Sequence, residues 1–452
     1  MTKLIKREVK REYNEESPLK LKIANAISTF TNPPIICIPL FLLISFVLAS
    51  NGNPFSSSFS FDWMLFAKCE IISLVFASVL PMAIIIYWAK KLNTDKDISN
   101  REDRFIPLIV GVLSYLIGFV ISFFFELPNF LTILLLCYAV NTFIVMLITS
   151  LWKISIHTTG LSGPVAALIM LLGPIGALFG LLYPVLIWSR VTLKKHTMAQ
   201  AIAGGIFGFV FTVGESYLYM RLFKMSVPGL VPLAECFWII FALVACPIVL
   251  GICGLLEKRG IESVIRAKLF HLLAFIGFAA FYFYGPSSAV LILILSAIVS
   301  VLVTIFAGDT FSWYKGISRG LERENLSIVL SLACGLIWIY VAMNYFNIES
   351  AIIATIIVAF VGAIAEPVAI KYARYKFPMK SLLGNDGNKS IESSVVALIV
   401  TMIILLLFTQ NVFVSIAVGL LVCLIETFVP KELENLVIPV ACAIILGFLL
   451  HY

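Results

Sequence analysis

L-I-M-L-L-G-P-I-G-A-L-F-G-L-L-Y-P-V-L-I-W-S-R-V-T-L-K-K-H-T-M-A-Q, Leu168 to Gln200, is the stretch on which the fold turns. One straight helix through its apolar part would put the two ends on opposite faces of a membrane. A hairpin, broken at Gly173-Pro174 and again at Gly176, would return them to one face. The hairpin is the better reading, because Arg190, Lys194 and Lys195 then join the other basic loops on a single side. It also brings His196 to the face that carries His157. Histidine is scarce in the chain, at positions 157, 196, 271 and 451.

The rest of the sequence has the same texture. Of 452 residues, 61% are hydrophobic and 13% charged, in long apolar runs separated by short basic loops. The runs of about 17 to 27 residues each suffice to cross a hydrocarbon core of roughly 30 Å as a helix. The expected fold is an all-α polytopic integral membrane protein, with about fifteen transmembrane segments in two helical bundles. The net charge of +7 is dispersed over loops. That pattern indicates membrane lipids and their anionic headgroups as partners and argues against nucleic acid. Nine cysteines lie in or beside apolar runs without C-x-x-C spacing, as small buried hydrophobes do.

The basic N-terminus, with Lys3, Lys6, Arg7, Lys10, Arg11, Lys20 and Lys22, is expected in the cytoplasm, and its length and late apolar run do not suit a cleavable signal peptide. Parity then carries the charged loops around residues 90–104, 152–163 and 189–197 to the same side. The chain divides into a basic tail (1–29), a first domain (30–225), a connecting transmembrane segment (226–256) and a second domain (257–452). Glu215 and Glu235, inside apolar runs, are either functional groups or helix-to-helix hydrogen-bonding groups.

The three loops of the first domain hold Lys and Arg, then Ser155 and His157, then Ser189, Arg190 and His196. Cleaving a phosphate ester requires cations on the nonbridging oxygens, a nucleophile for phosphorus and an acid for the leaving alcohol. These loops supply all three. Their order resembles the type 2 phosphatidic acid phosphatase superfamily, with its Lys-x6-Arg-Pro, Pro-Ser-Gly-His and Ser-Arg-x5-His-x3-Asp motifs on a six-helix membrane core. The resemblance covers about residues 30–225 and is closest at Ser189, Arg190 and His196.

It implies a lipid phosphate substrate, an isoprenoid or glycerolipid (pyro)phosphate, and a phosphohistidine intermediate without a cofactor or metal. His196 would be the nucleophile and His157 the general acid. Arg104, Arg190, Ser155 and Ser189 would bind phosphate together with Lys96 and Arg101, and Lys90 and Lys91 are alternatives for the motif lysine. The sequence departs from the pattern at Asp97, where Lys is expected, and at Phe105, where Pro is. Ile154 and Ile156 replace Pro and Gly of the second motif. Gln200 stands where the orienting Asp belongs; one helical turn beyond His196, it is expected to hydrogen-bond the imidazole without supplying a charge.

The second domain carries R-A-K-L-F-H (Arg266–His271), V-A-F-V-G-A-I-A-E-P-V-A (Val358–Ala369), N-K-S-I-E-S-S (Asn388–Ser394) and E-N-L-V-I-P (Glu434–Pro439). These segments look like the polyprenol kinase family, whose motifs are Arg-Lys-x2-His, Gly-Asp-x2-Ala, Lys-Ser-x-Glu-Gly-Ser and Asp-Asn-Leu-x-x-Pro. The resemblance implies CTP and Mg2+, with Arg266, Lys268, His271, Lys389, Ser390, Glu392, Glu434 and Asn435 at the nucleotide. Ala363 replaces the Asp of the Gly-Asp pair, and Gly308-Asp309 lies too early to substitute. The contrasting readings are a non-catalytic lipid-binding or transport protein, or a polyprenol kinase with a degenerate phosphatase half.

Overall fold

Gly173 has φ +59° and ψ −130°, a backbone region open to glycine alone, and it ends one helix directly before Pro174 starts the next. The chain reverses there. Gly176 is pressed so closely onto the preceding helix that a Cβ would lie 2.2 Å from the Leu168 carbonyl oxygen. The hairpin read from the sequence is therefore the observed topology.

The computed structural model describes residues 17–51, 59–92, 102–320, 323–380, 382–383 and 386–449. The first half comprises α1 (Pro18–Phe30), α2 (Pro33–Ala49), and α3 (Trp63–Ser73), which runs through a π-helical stretch into α4 (Leu80–Lys91). Then come α5 (Phe105–Phe124), α6 (Asn129–Leu151), α7 (Ile156–Leu172), α8 (Pro174–Ala177), α9 (Leu182–Thr192) and α10 (Met198–Leu222). After α11 (Leu233–Lys258) follow α12 (Ser263–Tyr284), α13 (Ser287–Ala307), α14 (Ser312–Ile317), α15 (Glu324–Tyr345) and α16 (Ile348–Lys371). The last helices are α17 (Ile391–Thr409), α18 (Val412–Phe428) and α19 (Glu434–Leu449). The only sheets among the described residues are two short antiparallel pairs, β1 (Ser50–Asn51) with β2 (Ser60–Phe61), and β3 (Lys376–Lys380) with β4 (Asp386–Ser390).

Twelve of the described helices are long and apolar enough to cross a membrane, or thirteen with α1 and α2 taken as one span bent by 57°. The apolar helices α7 and α18, 17 residues each, complete the fifteen segments read from the sequence. All nine cysteines are free, and all but Cys423 are buried. Glu235 accepts a hydrogen bond from Ser288 at 3.0 Å and so joins α11 to α13, the structural one of its two readings.

Small residues let the helices around α10 approach closely, as they do in membrane bundles. A Cβ at Gly204 would sit 2.6 Å from the Ser155 carbonyl oxygen, and one at Gly205 would strike the Tyr183 ring. Across these contacts Thr159 donates to the Gly204 carbonyl at 2.9 Å, and Tyr183 donates to that of Ile202 at 2.7 Å. The start of α7 is thereby set against the start of α10. The halves meet where α11 packs on α10 and where α13 packs on α9, with the Trp188 and Phe306 rings 5.3 Å apart. Gly204→Ala should force α10 away from Ser155 and Thr158 at a cost of about 1–3 kcal/mol, seen as a lower thermal-unfolding midpoint in detergent.

Candidate functional site

Arg190 is fully buried on the last turn of α9. Beyond it, Lys194 takes a left-handed φ of +55°, and the backbone N–H groups of Lys195 and His196 both turn back to the Arg190 carbonyl, at 3.1 and 3.4 Å. This wrap, akin to the motifs that close helix C-termini, carries His196 back beside Arg190. On the other limb of the hairpin, His157 stands in the first turn of α7 with Nε2 3.5 Å from the Arg190 guanidinium. Arginine only donates, so Nε2 presents its lone pair to it.

His157, His196 and Arg104, which immediately precedes α5, line one cavity of about 140 Å³ between α2, α5, α6 and α7. Arg190 lies behind His157, outside the cavity lining, and its guanidinium also donates to the Ser28 hydroxyl of α1.

Three of the sequence-assigned residues do other work. Gln200 does not reach the imidazole. Its side chain accepts from the Thr197 N–H at 3.0 Å while its own N–H donates to the Thr197 hydroxyl at 3.3 Å, a capping box that starts α10. Ser189 is wholly buried and donates to the Ala24 carbonyl of α1 at 2.7 Å, away from the cavity. Ser155 is likewise buried, as the N-cap of α7, accepting from the Thr158 N–H at 3.4 Å. Gln200 and Ser155 serve helix starts whose backbone groups need a partner, whereas Ser189 ties α9 to the middle of α1. Lys96 and Arg101 lie outside the described residues.

Orientation of His196 comes instead from the Lys153 carbonyl, 3.3 Å from Nδ1. A carbonyl can only accept, so Nδ1 carries the proton and Nε2 keeps a free lone pair. Burial above all, and then the charges of Arg190, Arg104 and Lys153, push the His196 pKa down from 6.5 to about 3. The imidazole is thus neutral at physiological pH. Neither the Lys153 carbonyl nor Ser28 carries a sequence signal, since one is backbone and the other lies on a helix outside every motif.

In the second half a cavity of about 810 Å³ runs between α11, α12, α13 and α15. Most of its wall is apolar, and its polar end gathers Lys268, His271, Lys389, Glu434 and Asn435 of the sequence-assigned set. It also gathers Arg319, Glu366 and Lys431, which were not assigned. Glu366, visible in the sequence only as a carboxylate inside an apolar run, is their centre: Lys268 pairs with it at 2.7 Å, and Arg319 and Lys431 also close on it. Lys389 pairs with Glu434 and, at 3.5 Å, with Glu426.

The other assigned residues stand elsewhere. Ser390 caps α17. Glu392 accepts the Arg374 and Tyr375 backbone N–H groups at 2.7 and 3.2 Å. Arg266 is buried on α12 outside the cavity lining. His271 donates from Nε2 to the Val358 carbonyl at 3.1 Å and lies over Gly362, where a Cβ would come within 2.4 Å of its ring. Among the described residues, no group of three or more His, Cys, Asp or Glu could hold a metal ion. Three cations, Lys268, Arg319 and Lys431, share the single carboxylate of Glu366, and Ala363 adds none.

No protein-family profile, no curated protein and no solved structure matches this chain.

The depressed pKa of His196 has a sign that can be checked. Between pH 6.5 and about 3 the unfolded chain binds a proton that the folded site refuses, so stability falls as pH drops through that window and is insensitive to this group above it. Histidine NMR of the folded protein should show His196 neutral at pH 5, and Arg104→Gln, by removing one repelling charge, should move its titration upward.

Proposed function

We propose that the first half is a membrane phosphatase that hydrolyses the phosphate of a lipid. The observation that carries this is the convergence of His157, His196 and Arg104 on one cavity backed by Arg190. A phosphate there would take its charge stabilisation from Arg104 and Arg190, held at fixed positions in a low-dielectric site. His196, neutral and presenting Nε2, attacks phosphorus as the bond to the lipid oxygen breaks. The leaving oxygen takes a proton from His157, which has received it from the monoanionic substrate. Water then attacks the phosphohistidine with His157 as base, releasing phosphate and restoring His196. The Lys153 carbonyl replaces the absent Asp as the group that holds the nucleophile, without its negative charge.

The two charged ends belong to one membrane face in this reading, which we assign to the cytoplasm from the basic N-terminal tail. For the second half, the 810 Å³ cavity, most of whose wall is apolar, supports a lipid-binding role. Purified protein should release phosphate from lipid monophosphates. His196→Ala should lower turnover by about 10³-fold or more, and unchanged turnover would remove His196 as nucleophile. Lys389→Ala should leave Glu426 and Glu434 without their cation and destabilise the fold by roughly 3–5 kcal/mol, lowering the unfolding midpoint without abolishing phosphate release.

A further inference from the structure

Arg190 acts from behind His157, so its effect on the site depends on where its guanidinium is held. Ser28 of α1 is one of the groups that hold it. The hydroxyl, 3% exposed as a residue, accepts from the same Nη1 that stands 3.5 Å from His157 Nε2. One turn earlier the Ala24 carbonyl of α1 accepts from the Ser189 hydroxyl at 2.7 Å. Residues four apart share a helix face, so one stripe of α1 grips two consecutive residues of α9.

A further turn back, that stripe reaches the second half. Lys20 donates from Nζ to the Ala307 carbonyl at 2.6 Å, and its ammonium lies 5.9 Å from the centre of the Phe306 ring. Ala307 ends α13, where carbonyls have no partner within the helix and the helix dipole favours a cation. Gly308 then turns the chain away with φ +68°, and a Cβ there would come within 3.7 Å of Nζ. The other end of α1 bends by 57° into α2, whose Pro33 and Pro34 line the cavity. Pro33 is pressed onto α7, since a Cβ at Gly160 would lie 2.6 Å from it. Ser28 thus sits between two fixed ends. A group that stabilises charge in a reaction counts only when placed to within about 1 Å.

We propose that α1 is a strap by which the second half positions Arg190 of the first, with Ser28 the positioning residue and Lys20 its anchor. The second half is then a requirement of the phosphate site, whatever fills its own cavity. The effect on turnover rests on the phosphatase reading; the placement of Arg190 against His157 does not.

The test uses the full-length protein in detergent, with phosphatidate in mixed micelles as substrate, and the variants Ser28→Ala, Ser28→Thr, Lys20→Met and the double Lys20→Met/Ser28→Ala. Ser28→Ala and Lys20→Met should each lower kcat by about ten- to a hundredfold with a much smaller change in KM. Ser28→Thr, which keeps a hydroxyl, should retain most of the wild-type rate. The double variant should be no slower than the slower single one, because both substitutions cut one strap. Full turnover in Lys20→Met, or losses that multiply in the double variant, would overturn the proposal. Histidine NMR gives a readout independent of activity: both single variants should shift the His157 ring signals and leave those of His271, in the second half, in place. If wild type releases no phosphate, the phosphatase reading falls by itself and the NMR comparison decides. A His157 shift in both variants then supports the strap, whereas no shift in Lys20→Met, or a shift that extends to His271, rejects it. Lys20→Met carries both readouts alone if Ser28→Ala does not fold.

Discussion

A guanidinium with no solvent exposure has to be met by the fold on every side, and Arg190 sets that condition at the centre of the first half. Three distant parts of the chain arrive together around it. The α7–α9 hairpin brings His157 to it, α1 brings Ser28, and the left-handed turn at Lys194 folds the following backbone onto its carbonyl. The glycines of α10 and the reversal at Gly173 serve this convergence, because neither limb could reach the other without close helix approach.

The second half solves the problem of intramembrane charge differently. There the cations are answered by carboxylates of the chain itself, with three of them on Glu366 and Lys389 shared between Glu426 and Glu434. Such a cluster holds helices in register and closes one end of an otherwise apolar cavity. The first half places His157, His196 and Arg104 on one cavity, whereas the second gathers cations and carboxylates at one end of a larger, mostly apolar one. The N-terminal helix ties the two together, since Lys20 donates to the Ala307 carbonyl at 2.6 Å while Ser28, two turns on, holds Arg190.

Much of the fold was legible in the sequence because crossing a membrane imposes length, apolarity and hydrogen-bond closure on each segment separately. The spans near 105–124, 130–151 and 391–409 correspond to helices within a residue or so, and the break at Gly173-Pro174 is a local backbone property that glycine and proline announce. The candidate site was legible in part. His157, His196 and Arg104 line one cavity, and Arg190 lies behind it against His157. Gln200 and Ser155, at motif positions, instead serve helix starts, because unpaired backbone groups there compete for the same side chains, and Ser189 bonds across to α1.

By itself, then, the sequence determined that this chain is a bundle of membrane helices, where it reverses, and which basic loops return to a common face. Those follow from hydropathy, from backbone preference and from counting crossings, all of them properties of short stretches. Only the tertiary structure decided what each polar side chain does. It made the Lys153 carbonyl the partner of His196, set Ser28 on Arg190 and gathered three cations on Glu366. The physical reason is range: a hydrogen bond is settled within about 3 Å by whichever group the packing brings nearest, and residues far apart in the chain become neighbours only when the helices pack.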